Sequence, residues 1–306
     1  MRRLFTLAAM FALPAAAQAQ RVDLEETELV VNAGGPVGVT INDHPVRLLI
    51  APDAVSAVAV NADTAARLGL EPSMVGFIFV IGSTRLPFNT DTVRYQMHGG
   101  SFRRRTAYSD AQIVDGADGV VAPGHLPQQR VVLNLRAGAP EDRALVFPLE
   151  RMGRSLVGTV LDVGGVPIHV AFSFDRPESL VTATGGRMIA DDLGGYFTGE
   201  ARDMTVLYRV SRPVRPLALR QPLMLGELEV RNLAVRVGDH GNAEGIDEAA
   251  PQQGDPDEIV VTANTGDMPR QRLYLGMDTI GHCASLTYDF AAETLTLMCP
   301  PQPPAG

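Results

Sequence analysis

Residues 39–60 read VTINDHPVRLLIAPDAVSAVAV, and residues 161–182 read LDVGGVPIHVAFSFDRPESLVT. Laid over one another at an offset of 122 they need no gap: Pro45 meets Pro167, Val46 meets Ile168, Ile50 meets Phe172 and Asp53 meets Asp175. Both stretches are apolar, β-branched runs broken by Asn, Asp, Gly and Pro, the pattern of two strands joined by a tight turn and followed by a loop. A second matched pair closes each half, GVVAPGHLPQQRVVLNL (119–135) against LYLGMDTIGHCASLTYDF (273–290), at an offset of about 154. The later half has therefore gained about 30 residues between its two blocks. A period above 100 residues is too long for a stacked repeat unit and predicts two copies of one lobe, related by a pseudo-twofold axis, with equivalent loops meeting at the middle.

Elsewhere short strand-like runs separated by turn residues dominate, and only NADTAARLGL (61–70) and GGRMIADDLGG (185–195) have the pattern of short helices. The expected fold is mostly β, with an N-terminal lobe over 20–150, a C-terminal lobe over 151–300 and a Pro-rich tail at 301–306. The opening MRRLFTLAAMFALPAAAQAQ has two arginines, an apolar run too short to span a bilayer, and Ala17-Gln18-Ala19. That is the pattern of a secretory signal peptide over 1–19, which predicts a periplasmic or secreted protein. No later stretch has the roughly 20 apolar residues of a membrane span.

The net charge of −9 becomes −11 without Arg2 and Arg3, which argues against nucleic acid as a partner. Every cation is an arginine, so lysine nucleophiles and Schiff bases are excluded. The two cysteines, Cys283 and Cys299, flank a pair of alternating runs, and a hairpin centred on Ala291 sets them opposite one another. In an exported chain that geometry predicts a structural cross-strand disulfide. The six histidines lack ligand-like spacing, so no metal is expected. No GxSxG, GxGxxG or GxxxxGK occurs, the glycine pairs read as turns, and no cofactor is expected. Arg103-Arg104-Arg105 is either a solvated strand end or a site for an anionic partner.

These blocks, in this order, twice, resemble the pepsin and retropepsin superfamily of aspartic peptidases. The resemblance rests on INDHPVRLLI with AVSAVAVNADTAARLGL for the opening of a lobe, and on DGVVAPGHLPQQRVVLNL and LYLGMDTIGHCASLTYDFAAETLTL for the closings. It covers most of 37–136 and 159–297 and implies a two-lobed acid-protease architecture whose cleft takes extended peptide. The catalytic signature departs from the family. In place of Asp-Thr-Gly stand Ala51-Pro52-Asp53-Ala54-Val55 and Ser173-Phe174-Asp175-Arg176-Pro177. The hydrophobic-hydrophobic-Gly element is Val120-Val121-Ala122 in one half and Tyr274-Leu275-Gly276 in the other. Peptidase chemistry needs two carboxylates sharing one proton. Asp53 and Asp175 are equivalent positions, yet counting from the preceding strands puts the family's aspartates at Ala51 and Ser173. Two readings follow: an active endopeptidase using Asp53 and Asp175, or a degenerate one acting as a peptide- or protein-binding module.

The surplus of the second half falls in a loop-like insert over 240–272, acidic and rich in Pro, Gln and Gly. Inside it, Asp257, Glu258, Ile259, Val260, Val261, Thr262 and Ala263 read DEIVVTA. This resembles the TonB box, the segment by which outer-membrane transporters pair as an added strand with the periplasmic domain of TonB. The resemblance implies a TonB-interacting adaptor; the composition alone equally fits an extra edge strand of the second lobe.

Overall fold

Two tight turns of the same kind open the two halves of the chain. Asn42 and Asp43 (φ 46° and 65°) join β2 (Pro36–Ile41) to β3 (His44–Ile50), and Gly164 and Gly165 (φ 58° and 82°) join β12 (Leu156–Val163) to β13 (Val166–Phe172). Consecutive left-handed residues make the turn whose twist suits a two-residue hairpin, and Asn, Asp and Gly tolerate it best. The computed structural model describes residues 27–54, 58–81, 84–97, 100–152, 156–237, 246–248 and 271–301. The expected signal peptide, the DEIVVTA segment at 257–263 and all of the tail except Pro301 lie outside the described residues.

From these hairpins the same strand order grows in both lobes. β3 pairs in parallel with β8 (Gly119–Val121), and β13 with β22 (Arg272–Leu275). β8 and β22 run antiparallel to β4 (Val58–Val60) and β14 (Leu180–Val181). These in turn lie parallel to β7 (Gly100–Tyr108) and β20 (Leu233–Arg236). Each sheet continues through a hairpin, β6 (Thr84–Met97) with β5 (Phe77–Ile81) in lobe one and β17 (Val210–Ala218) with β16 (Arg202–Leu207) in lobe two. The helices α1 (Ala62–Arg67) and α2 (Ala183–Leu193) follow β4 and β14. Gly185 and Gly186, which open the stretch with a helical pattern, lie in α2, where a Cβ at 186 would come within 2.6 Å of Val235 Cγ1.

Lobe two adds β11 (Glu150–Met152) beside β12, β15 (Tyr196–Phe197) and β21 (Asp247–Glu248) beyond β17, and a separate hairpin of β18 (Leu223–Leu225) and β19 (Leu228–Val230). Alternation along the strands sets one face inward, most plainly in the long β6.

The offset of 122 holds through the hairpins and then slips by one. Ala59 pairs with Val120 as Leu180 pairs with Tyr274, an offset of 121, so the loop after β3 carries one residue more than the loop after β13. Residues 109–118 join β7 to β8, whereas 237–271 join β20 to β22, although the sheets close in the same order. That surplus is not wholly outside the fold: Ile246 is buried and Asp247–Glu248 pairs with β15.

A third sheet joins the lobes, in the order β1 (Glu28–Asn32), β9 (Arg130–Asn134), β23 (Ser285–Asp289), β24 (Thr294–Cys299) and β10 (Arg143–Pro148). β9 and β23, equivalent in the two lobes, pair antiparallel as a twofold axis between them requires. One hydrophobic cluster runs from Leu29 through both lobes to Cys299. Cys283 and Cys299 form a disulfide. The β23–β24 register centres the turn between Ala291 and Ala292, so the bond runs one residue off the direct pairing expected from Ala291. Among the described residues no helix is long and apolar enough to cross a membrane.

At the lobe junction His125 ends the 3-10 turn Pro123–His125, its carbonyl accepting from Arg104 Nε at 3.3 Å and its Nε2 buried without a partner. Burial, and then the charges of Arg104 and Arg151, push its imidazole down to about 4.

Two outcomes follow from these ties. Replacing both cysteines by alanine releases a loop closed across 16 residues and should lower unfolding free energy by about 3 kcal/mol in urea denaturation. Between pH 6.5 and about 4 the unfolded chain binds the proton that folded His125 resists, so stability should fall as pH falls through that window, by on the order of 3 kcal/mol. His125→Gln should remove that part of the slope, measured by denaturation at several pH values.

Candidate functional site

The loops that follow β3 and β13 meet where the lobes face one another. They leave their strands equivalently: Ala51 N donates to Val121 O and Ser173 N to Leu275 O, both at 2.9 Å. From there they diverge. In lobe one Ala54 N closes a turn on Ala51 O at 3.0 Å. In lobe two the loop is tied to the start of α3 (Met277–Ile280). Met277 N donates to Arg176 O at 2.8 Å, Asp278 N to Pro177 O at 3.0 Å, and Gly276 N to Ser179 Oγ at 3.2 Å. A Cβ on Gly276 would fall 2.3 Å from Glu178 O, so only glycine fits that approach. Its counterpart Ala122 is fully buried.

Asp53 is the point of contact between the loops. Its Oδ2 accepts a hydrogen bond from Ser173 Oγ at 2.9 Å and forms an ion pair with Arg176 Nη1. Arg176 is 6% exposed, lies over the Tyr274 ring at 4.8 Å and donates from Nη2 to Val206 O at 2.5 Å. The guanidinium thus bonds a carboxylate of lobe one, a ring of its own sheet and the backbone of the β16–β17 hairpin. A hydrogen-bonded ion pair with little exposure is costly to break, because removing one partner strands the other charge, and it leaves Asp53 facing a cation.

Asp175 lies in the same loop as Arg176 and keeps an exposed face. Protein packed around its inner side raises its carboxyl above the ordinary range, the charge of Asp53 raises it further, and Arg176 opposes both. The two expected aspartates therefore sit close enough to sense one another, but Asp53 is held by Arg176 and Ser173. The sequence gives Ser173 and Arg176 only as departures from a catalytic signature; nothing in it signals that they are the partners of Asp53.

Over this site the two lobes exchange hairpin ends. Ile81, at the end of β5, is buried in a cluster with Met152, Leu156, Val206 and Tyr274 of lobe two. Tyr208, at the turn of the β16–β17 hairpin, is buried in a cluster with Ala54, Leu86 and Ala122 of lobe one. Its ring lies 5.8 Å from that of Phe79 and 5.5 Å from that of Phe88. Tyr208 and Arg209 have φ of 43° and 62°, a conformation that costs a bulky residue roughly 1–2 kcal/mol. The aromatic packing offsets that cost. Arg209 also reaches Asp115 of lobe one at 2.5 Å, on the exposed surface where such a pair adds little.

His282 lies beside Cys283 and Cys299, but both sulfurs are consumed by the disulfide, leaving one side chain with metal-ligand capacity there.

No protein-family model matches this chain, and no curated protein matches it. Among solved structures the chain is similar to an EIAV protease complexed with the inhibitor HBY-793, at 15% identity and a TM-score of 0.22, over 28% of this chain and 79% of that one.

Arg176→Met alone leaves the Asp53 charge without its partner and should cost about 3 kcal/mol of stability. Adding Asp53→Asn should recover most of the loss. Denaturation curves in which the double variant is as unstable as the single one would show that the ion pair is not what joins the loops.

Proposed function

We propose that this protein is an exported, aspartic-peptidase-like module that binds an extended peptide or protein segment between its lobes and does not cleave it. The observation that carries this reading is the Asp53–Arg176 ion pair. A peptidase dyad works because two carboxylates hold one proton between them, so that one activates water while the other donates to the carbonyl oxygen. Here Asp53 Oδ2 is taken by Arg176 and Ser173, and a guanidinium supplies no proton to share. The exchanged hairpin ends support the binding half of the reading: a strand-like ligand entering between the lobes would replace the contacts of Ile81 and Tyr208 with its own.

A second role, as a TonB-interacting adaptor through 257–263, is favoured by the way lobe two closes. β20, β14 and β22 pair as their lobe-one counterparts do, so apart from Ile246 and Asp247–Glu248 the surplus chain between β20 and β22 is not needed to complete that pairing. A β-branched segment offered from such an insert suits strand addition to a partner's sheet.

Purified mature protein should show no pepstatin-sensitive proteolysis between about pH 3 and 6, the range in which a carboxylate dyad works. Cleavage abolished by Asp175→Asn would establish the active endopeptidase instead. If closed hairpins limit access, Tyr208→Ala should tighten apparent binding of extended peptides by raising the open fraction, and unchanged affinity in calorimetric titration would contradict that. Titration with a periplasmic TonB domain should give binding that Val260→Pro abolishes; equal binding by both proteins would remove the adaptor role.

A further inference from the structure

The face of the lobe-two sheet that meets the lobe-one hairpin carries a basic row that the ion pair at Asp53 does not use. Ala171, Tyr274, Ala234 and Val214 all belong to the cluster that receives Ile81. Alternation along each strand therefore puts His169, Arg272 and Arg236 on that same face. Neighbouring strands bring them together: His169 pairs with Arg272, and Arg236 pairs with Val214. Between the two arginines stands Thr182, whose Oγ1 accepts from Arg272 N at 3.2 Å and whose N donates to Arg272 O at 3.0 Å.

Arg272 is 9% exposed, and its partners do not account for its charge. Nη1 donates to the Tyr274 hydroxyl at 3.1 Å, the guanidinium lies 5.9 Å from the centre of that ring, and Nε is buried without a hydrogen bond. Among the described residues no carboxylate pairs with it. Beside it, His169 Nδ1 is also buried without a partner. A guanidinium taken out of water with no counter-charge costs several kcal/mol. Arg176, over the same tyrosine ring, also has a buried Nε without a partner, but its charge is answered by Asp53, whereas the charge of Arg272 is answered by no carboxylate among the described residues.

We propose that Arg272, with His169 beside it, is a subsite for a carboxylate of the bound segment, so that the cleft prefers an acidic extended peptide. This rests on the reading of the cleft as a peptide-binding site. The fork of the guanidinium matches a carboxylate with two parallel hydrogen bonds, the unpartnered Nε of Arg272 supplies a donor directed by the protein, and His169 Nδ1 supplies a second in the tautomer that carries its proton there. The carboxylate comes either from a Glu or Asp side chain or from a C-terminus.

The test uses the full mature chain and three extended peptides of one apolar sequence: one with an internal glutamate and an amidated end, one neutral with a free C-terminus, and one neutral and amidated. One of the carboxylate peptides should bind about tenfold or more tighter than the neutral amide, and which one identifies the source. Arg272→Met should abolish that preference, and Arg272→Lys should restore only part of it. The melting temperature of Arg272→Met should not fall, since it removes a buried cation that lacks a counter-charge. A lowered melting temperature with the preference intact would make Arg272 structural and overturn the proposal. Succinate gives a readout independent of peptide. If it raises the melting temperature of wild type but not of Arg272→Met while no peptide binds, the anion subsite stands and the peptide reading falls. If succinate and all three peptides act alike on both proteins, the subsite itself is refuted.

Discussion

The contact between Asp53 and Arg176 is the constraint on which the middle of this molecule depends. It joins a loop of one lobe to a loop of the other, and Arg176 passes the connection on through Val206 O to the hairpin that reaches back over lobe one. A salt bridge with this little exposure is not in itself strong evidence of stability, because desolvating two charges offsets most of their attraction. Its effect is on specificity of arrangement. With Arg176 in place, the lobes have one relative position in which Asp53 and Arg176 are both paired, and the packing of Ile81 and Tyr208 across the boundary goes with that position.

The same arginine changes what the pseudo-symmetry means. Two equivalent loops meeting on an axis would present like groups to one another. Here they present unlike groups, a carboxylate from one side and a hydroxyl and guanidinium from the other. The loop after β13 is fastened to the start of α3 through Gly276 and Ser179, while lobe one has an extra residue in the loop after β3 and, following β8, Ala122 in the glycine position. The asymmetry is therefore built into the backbone of both loops as well as into the side chains that meet.

The architecture was legible in the sequence because it is written in local patterns. Asn42-Asp43 and Gly164-Gly165 announce the opening hairpins, matched blocks announce two lobes, and the cysteine spacing announces the bond that forms. What was not legible depends on distance in space. Arg176 appears in the chain only as a residue where a hydroxyl was expected, since its partner lies 123 residues away. The slip of one residue in the first loop is invisible until strand pairing fixes both ends. The exchange of hairpin ends gives no signal either, because Ile81 and Tyr208 look like ordinary members of their own strands. Gly185 and Gly186 are a mixed signal: the pair alone looks like a turn, while the pattern of 185–195 reads as the helix they belong to, where they allow close packing against Val181 and Val235.

The sheet that joins the lobes also bears on how the chain comes to be folded. β23 and β24, from the last 22 residues, lie between β9 and β10, which belong to the first half. Until they arrive, β9 has β1 on one side and an open edge on the other, and β10 has no partner in that sheet. A nascent chain therefore holds a gap two strands wide, and unpaired backbone of this kind invites mispairing with other chains. The β23–β24 hairpin acts as a keystone, so this sheet closes only once residues 285–299 have been made and paired.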